Sequence, residues 1–316
     1  MILMPASVRK KGIRLIMRYR LFGFILAFCV LSSSEAHAET HMTAAPATQG
    51  FSIIIEGHGP DIILIPGLAS SRSVWRDLAT RLKAHYRLHL VQLAGFAGEP
   101  AQKDASDQVM IPVASALSRY IATRHLQAPT VIGHSLGGAL ALMVASEHPD
   151  QIGKVVIVDA LPFYPLIYNP LATRETMLPQ AEAYKRAIMQ EQPESQREAI
   201  EKQTIARLVK TEAARPALVE AGLKSDRKTV ANALYDDMTT DLRPALSKIT
   251  APVSVIYAYD PSYGIPSSMV DTLYRTAYGT TPHVHFERID GSYHFVMIDQ
   301  PEKFGHAVEA ALQATP

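Results

Sequence analysis

The sequence has one cysteine, Cys29, and one tryptophan, Trp75, in 316 residues. A single thiol excludes a disulfide framework and leaves little scope for thiol chemistry. Only 17 glycines and 7% aromatic residues are present, which excludes a collagen-like or low-complexity chain. The formal net charge is +1, so no excess of basic groups points to a nucleic-acid partner. No apolar run reaches the length of about 18 residues needed to span a bilayer as a helix. The histidines show no ligand-like spacing, and no metal site is expected.

What is present is unevenly distributed. Residues 1–38 hold Arg9, Lys10, Lys11, Arg14, Arg18 and Arg20 against one acid, Glu35. The rest keeps 25 of the 31 basic and 29 of the 30 acidic groups, a formal −4. The basic stretch runs into the apolar segment Leu21–Leu31 and ends at Ala36-His37-Ala38. This order predicts a secretory signal peptide over 1–38, hence an exported, periplasmic or secreted protein with no stable membrane span after cleavage. The alternative is a short uncleaved anchor. Phe28 stands where lipid attachment at Cys29 would require a small residue, and Met4 or Met17 are alternative initiators. Residues 39–50 are small and polar, and read as a linker.

Strand and helix patterns alternate from Phe51 onward: strands at Phe51–Glu56, Ile62–Ile65, Leu88–Leu93, Thr130–Gly133 and Val155–Val158, with helices at Trp75–Ala84, Val109–Arg124 and Leu136–Glu147. The alternation resumes at Val253–Ala258, Ser267–Ala277, Val284–Ile289 and Glu302–Leu312. It predicts a parallel sheet with helices on both faces. Between Pro162 and Leu242 no strand pattern occurs. The expected organisation is an α/β core at 51–161 and 243–316, interrupted by a helical cap at 162–242 with a solvated outer face.

The segment Gly133-His134-Ser135-Leu136-Gly137-Gly138 fits G-x-S-x-G. An apolar β-branched strand precedes it, and Leu136, Ala139, Leu140, Met143 and Val144 follow at helical spacing. A sharp strand-to-helix turn there holds the Ser135 hydroxyl above the sheet, at a helix N-terminus whose dipole favours negative charge. The competing reading is a structural glycine-rich turn.

A serine hydroxyl needs a base. After Ser135 come His148, His283, His285, His294 and His306. His148 ends the following helix, about 18 Å along it at ~1.5 Å per residue. His283 and His285 alternate in a strand, and His306 is in a terminal helix. His294 lies in a turn-rich loop after a strand, at the carboxyl edge of the sheet, and is the expected base. The orienting acid is expected to be Asp260, after Val253–Ala258, with Asp159, after Val155–Val158, as its rival. Oxyanion donors are expected at the backbone N–H of Leu136 and Leu68, since Pro66 lacks one.

These pieces together resemble the α/β-hydrolase superfamily, the capped serine hydrolases with a G-x-S-x-G turn. The matching elements are Pro66-Gly67-Leu68 with Trp75, Leu93-Ala94-Gly95-Phe96-Ala97-Gly98, the serine turn, Tyr257-Ala258-Tyr259-Asp260, and Gly291-Ser292-Tyr293-His294-Phe295 with Gln300-Pro301-Glu302-Lys303-Phe304. The resemblance implies an eight-stranded, mostly parallel sheet, a cap over the active site and no cofactor. Pro66, Gln92 and Ala97 depart from the residues usual in the family. Ser135 argues against the relatives that use an aspartate nucleophile.

The expected reaction is hydrolysis of a small or medium acyl ester through an acyl-enzyme. Phe163, Tyr164, Tyr168, Met177, Met189 and Met238 are candidates for an apolar acyl pocket or for the cap's own core. An amidase or peptidase, a lactonase, and a non-catalytic binding protein on the same fold remain open. Oligomeric state is not legible.

Overall fold

The computed structural model describes residues 43–48, 50–102 and 107–314. The expected signal segment, residues 1–38, lies outside them. Eight strands form one sheet: β1 Thr43–Thr48, β2 Phe51–Gly57, β3 Asp61–Ile65, β4 Arg87–Leu93, β5 Thr130–His134, β6 Lys154–Val158, β7 Val253–Tyr259 and β8 Val284–Asp290. Their order is β1-β2-β4-β3-β5-β6-β7-β8. β1 and β2 are antiparallel to their neighbours, and β3 through β8 run parallel.

Ten α-helices accompany the sheet among the described residues: α1 Arg76–Leu82, α2 Met110–Thr123, α3 Leu136–Glu147, α4 Arg174–Met189, α5 Glu194–Leu208, α6 Arg215–Lys224, α7 Arg227–Thr239, α8 Ser267–Ala277, α9 Val296–Asp299 and α10 Pro301–Gln313. No helix among the described residues is long and apolar enough to cross a membrane.

The short apolar strands are buried on both faces because side chains alternate across a sheet. Along β3, Ile63 and Ile65 join a core with α2 and α3. Ile62 and Leu64 join the opposite core with Trp75, Val296, Phe304 and Val308. Trp75 is fully buried and stacked on Phe304, 6.2 Å between ring centroids, so the single tryptophan anchors the second layer. Burial of such a side chain contributes about 1.5–3 kcal/mol.

The expected linker at 39–50 is corrected in part. Residues 43–48 are the edge strand β1, paired with β2 with a register shift between Ala45 and Thr48. Small polar residues and Pro46 gave no strand periodicity. At an edge, however, backbone pairing on one side suffices and a missing N–H is tolerated. Between β6 and β7 every described element is helical, with α4 against α7 and α5 against α6.

At the amino end of the parallel strands a buried histidine joins a polar cluster that reaches the surface at Arg87. His89, 2% exposed, meets the Tyr120 hydroxyl at 2.7 Å through Nδ1 and Asp61 at 2.8 Å through Nε2. Arg87 adds a two-pronged contact to the same carboxylate. Burial pushes the His89 pKa below its ordinary value, against the opposing pull of Asp61. The unfolded chain therefore binds a proton that the folded chain refuses. His89 contributes full stability above its unfolded pKa of about 6.5 and loses it as pH falls through and below that value. The melting temperature is expected to drop between pH 7.5 and 5.5. His89→Gln, less stable overall, should lose less over that interval; parallel curves for the two proteins would contradict the assignment.

Candidate active site

The turn between β5 and α3 puts Ser135 at φ 53°, ψ −123°, a left-handed conformation strained for a residue with a side chain. Three contacts stabilise it. Ser135 N–H donates to the Val158 carbonyl at 3.0 Å, and Gly138 and Ala139 N–H donate to the Ser135 carbonyl. The glycines are required by close approach. A Cβ on Gly133 would meet the Gly137 carbonyl, and one on Gly137 would meet the carbonyls of Ile65 and Pro66. Gly67 packs against the turn in the same way, its Cβ position 3.1 Å from Ser135 Cβ.

His294 reaches this turn through a loop held at several points. Gly291 and Ser292 N–H donate to the Tyr259 carbonyl, and the Gln300 side chain donates to the Gly291 carbonyl at 2.9 Å. His134, directly before Ser135, is fully buried, and its Nε2 lies 3.1 Å from the His294 carbonyl. The two imidazole rings are 4.5 Å apart. Burial, with the nearby His294 adding to it, holds the His134 pKa well below the ordinary value. The ring is therefore neutral, with Nε2–H donating to that carbonyl.

The carboxylate that meets the imidazole is Asp159, not Asp260. His294 Nδ1 lies 2.6 Å from Asp159 Oδ2. The other oxygen, Oδ1, accepts from Ala258 N–H and from the Tyr274 hydroxyl, each at 2.9 Å. Asp159 has φ 45°, a left-handed turn directly after β6 that aspartate tolerates better than most side chains. With a carboxylate at Nδ1, that nitrogen carries the proton and Nε2 presents its lone pair. Asp260 is engaged elsewhere. Lys210 Nζ donates to its Oδ2 at 2.6 Å, and Ser262 N–H to its Oδ1 at 2.9 Å. The Lys210 and Ser262 contacts hold the Asp260 pKa down to about 2. Both acids end adjacent parallel strands. Asp260 is turned away because it caps the short 3-10 turn Pro261–Tyr263 and pairs with the helical insert.

Among the described residues neither Ser135 Oγ nor His294 Nε2 has a hydrogen-bond partner. The same holds for the backbone N–H groups of Leu68 and Leu136, which leaves both as free donors beside the serine. The loop that carries Leu68 is held by Gln92, one of the unusual residues. Its side chain accepts from Arg72 N–H at 2.8 Å and donates to the carbonyls of Ser70 and Phe96 at 3.1 Å. Ala97, another of these departures, adopts φ 51° where a glycine would be unstrained.

The remaining histidines are remote in role. His148 caps the end of α3, His285 lies in β8, His283 precedes it, and His306 meets Arg81 on the surface. Of the six apolar insert residues, Phe163, Met177 and Met238 are core. Tyr168 and Met189 are exposed, and Tyr164 is half-buried.

Several supporting residues gave no sequence signal. Asp299 accepts from Lys210 N–H, Thr211 N–H and Tyr293 N–H at 2.8–3.0 Å, joining the insert to the histidine loop. Phe295 N–H donates to the Leu208 carbonyl across the same junction. Tyr274 stands in α8, far in sequence from the Asp159 it holds.

Comparison with known proteins follows the same lines. A curated relative, the pimeloyl-[acyl-carrier protein] methyl ester esterase of Aeromonas salmonicida (strain A449), is 35% identical over 108 residues, 34% of this chain and 41% of that protein. The match thus spans about two fifths of that relative's length. The protein of the same name from Yersinia enterocolitica serotype O:8 / biotype 1B is 24% identical over 254 residues, covering 78% of this chain and 91% of it. Among solved structures, an esterase from Exiguobacterium antarcticum superposes with a TM-score of 0.68 at 18% identity, over 87% of this chain and all of that one. The enol-lactonase of Burkholderia xenovorans LB400 gives 0.68 at 17% identity, over 86% of this chain and 100% of that one. These two likenesses concern the fold alone. A model of the alpha/beta hydrolase family matches residues 62–307, and with the strand order and the serine turn already described, the chain belongs to that family.

Proposed function

We propose that this chain is an exported serine hydrolase that cleaves a carboxylic ester of a small or medium acyl group, with Ser135 as nucleophile, His294 as base and Asp159 as the acid that orients it. The observation that carries the reading is the 2.6 Å contact of His294 Nδ1 with Asp159, made in a loop whose carbonyl is held by the residue directly before Ser135. The two curated relatives named above are methyl ester esterases by name, which supports the choice of ester over amide.

In the proposed acylation, His294 Nε2 takes the proton of Ser135 Oγ as the oxygen bonds to the ester carbonyl carbon. Asp159 stabilises the imidazolium and holds its tautomer. The carbonyl oxygen, now negative, is received by the N–H groups of Leu68 and Leu136, which are fixed before the reaction and need no reorganisation. His294 returns the proton to the departing alcohol. Water then attacks the acyl-enzyme with His294 again as base, releasing the acid and restoring Ser135.

Export rests on the order of basic residues, apolar segment and Ala36-His37-Ala38 site. N-terminal sequencing of protein recovered outside the cytoplasm should begin at Glu39; an N-terminus upstream of Leu21 would contradict it.

The catalytic reading is tested on short p-nitrophenyl esters. The wild type should release a burst of nitrophenol, and Ser135→Ala should abolish both the burst and labelling by a fluorophosphonate. Asp159→Asn should lower kcat by about 10⁴-fold. Asp260→Asn should lower it by less than about tenfold, since it removes one arm of a half-exposed ion pair. The opposite ranking of the two aspartates, or turnover by Ser135→Ala, would overturn the assignment.

A further inference from the structure

His134 ends β5, directly before Ser135, and is fully buried. Three parts of the site meet at its ring. Nε2–H donates to the His294 carbonyl at 3.1 Å, and the ring centroid lies 4.5 Å from that of His294 and 4.8 Å from that of Phe295. A Cβ on Gly67 would lie 3.0 Å from Nδ1, so the ring also packs against the loop that carries Leu68. Trp75 meets it edge to face, 6.5 Å between centroids.

Two observations separate this ring from ordinary packing. Nδ1 is buried without a hydrogen-bond partner among the described residues. An unpaired buried acceptor costs stability, and an apolar ring of similar shape would carry no such cost. What an apolar ring could not supply is the Nε2–H. The other observation is how the histidine loop is held. Ser292 N–H donates to the Tyr259 carbonyl, Tyr293 N–H to Asp299 and Phe295 N–H to the Leu208 carbonyl. Among the described residues no backbone N–H reaches the His294 carbonyl, which is left to His134. Asp159 fixes the rotation of the His294 imidazole through Nδ1, and His134 fixes where its backbone sits relative to the serine turn.

We propose that His134 is a positioning residue for the hydrolysis: through its Nε2–H it sets the place of the His294 imidazole relative to the Ser135 hydroxyl, and loss of that one donor slows acylation without weakening substrate binding. The inference rests on the serine-esterase reading above. A misplacement of about 1 Å at the reacting groups is enough to lower the rate on the order of 10²-fold.

Three variants test it. His134→Gln keeps an amide N–H at the same bond separation from Cβ as Nε2. His134→Asn places its amide one bond short, and His134→Phe keeps a ring with no donor. The burst of nitrophenol from a short p-nitrophenyl ester is followed per active site, counted by fluorophosphonate labelling so that unfolded protein does not contribute. His134→Phe and His134→Asn should lower the burst rate constant at saturating ester by about ten- to a hundredfold, with the half-saturating concentration within about twofold of wild type. His134→Gln should stay within about fivefold of wild type. An equal fall in all three variants, or no fall in Phe and Asn, would overturn the proposal. If the Phe variant does not fold, the Asn and Gln pair decides. In the wild type, nitrogen NMR should find the His134 proton on Nε2; a proton on Nδ1 instead would remove the donor and overturn the proposal without touching the esterase reading. A wild type that neither turns over the ester nor is labelled at Ser135 would remove that reading, and this inference with it.

Discussion

The hydrogen bond between His294 Nδ1 and Asp159 is the contact around which the proposed chemistry is arranged, and it depends on three separate parts of the fold. β6 delivers Asp159 to the carboxyl edge, and its left-handed turn leaves the carboxylate facing the next strand. β7 supplies the Ala258 N–H and α8 the Tyr274 hydroxyl that occupy the second oxygen. The loop after β8 brings the imidazole, with His134 bonded to its backbone. A charge-assisted hydrogen bond of this kind contributes about 1.5–3 kcal/mol. Its larger consequence is orientation, because it decides which nitrogen is left to accept a proton.

Asp260 shows what a carboxylate at the neighbouring strand end does instead. Its ion pair with Lys210, the three N–H groups gathered by Asp299 and the Phe295 contact with Leu208 tie the helical insert to the histidine loop. The helical insert and the loop that bears His294 are thus fastened to each other. Two acids that look equivalent by position are divided between a contact with the His294 imidazole and structural attachment of the insert.

Much of this was legible from local pattern. The serine turn is specified within a few residues: strand, glycines where backbone passes close, and an apolar helix face. The Gly133 and Gly137 contacts show why those positions need glycine. The position of His294, in the loop after a strand at the carboxyl edge, was legible in the same way. The choice between Asp159 and Asp260 was not, because it turns on partners more than fifty positions from Asp159 and on Lys210, fifty before Asp260. β1 escaped for a different reason: an edge strand is held by backbone pairing, which leaves little trace in side-chain periodicity. The insert's apolar residues divide into core and surface by how α4 packs on α7, a tertiary fact that composition does not encode. Gln92 is instructive in the same way: a departure from the usual family residue becomes the brace of the loop that holds Leu68.

The central claim is that Asp159 holds the proton on Nδ1 of His294, and proton NMR of the histidine ring reads it directly. A strongly downfield Nδ1–H resonance should be present in the wild type, persist in Asp260→Ala and vanish in Asp159→Ala. Its persistence without Asp159, or its loss on removal of Asp260, would contradict the account.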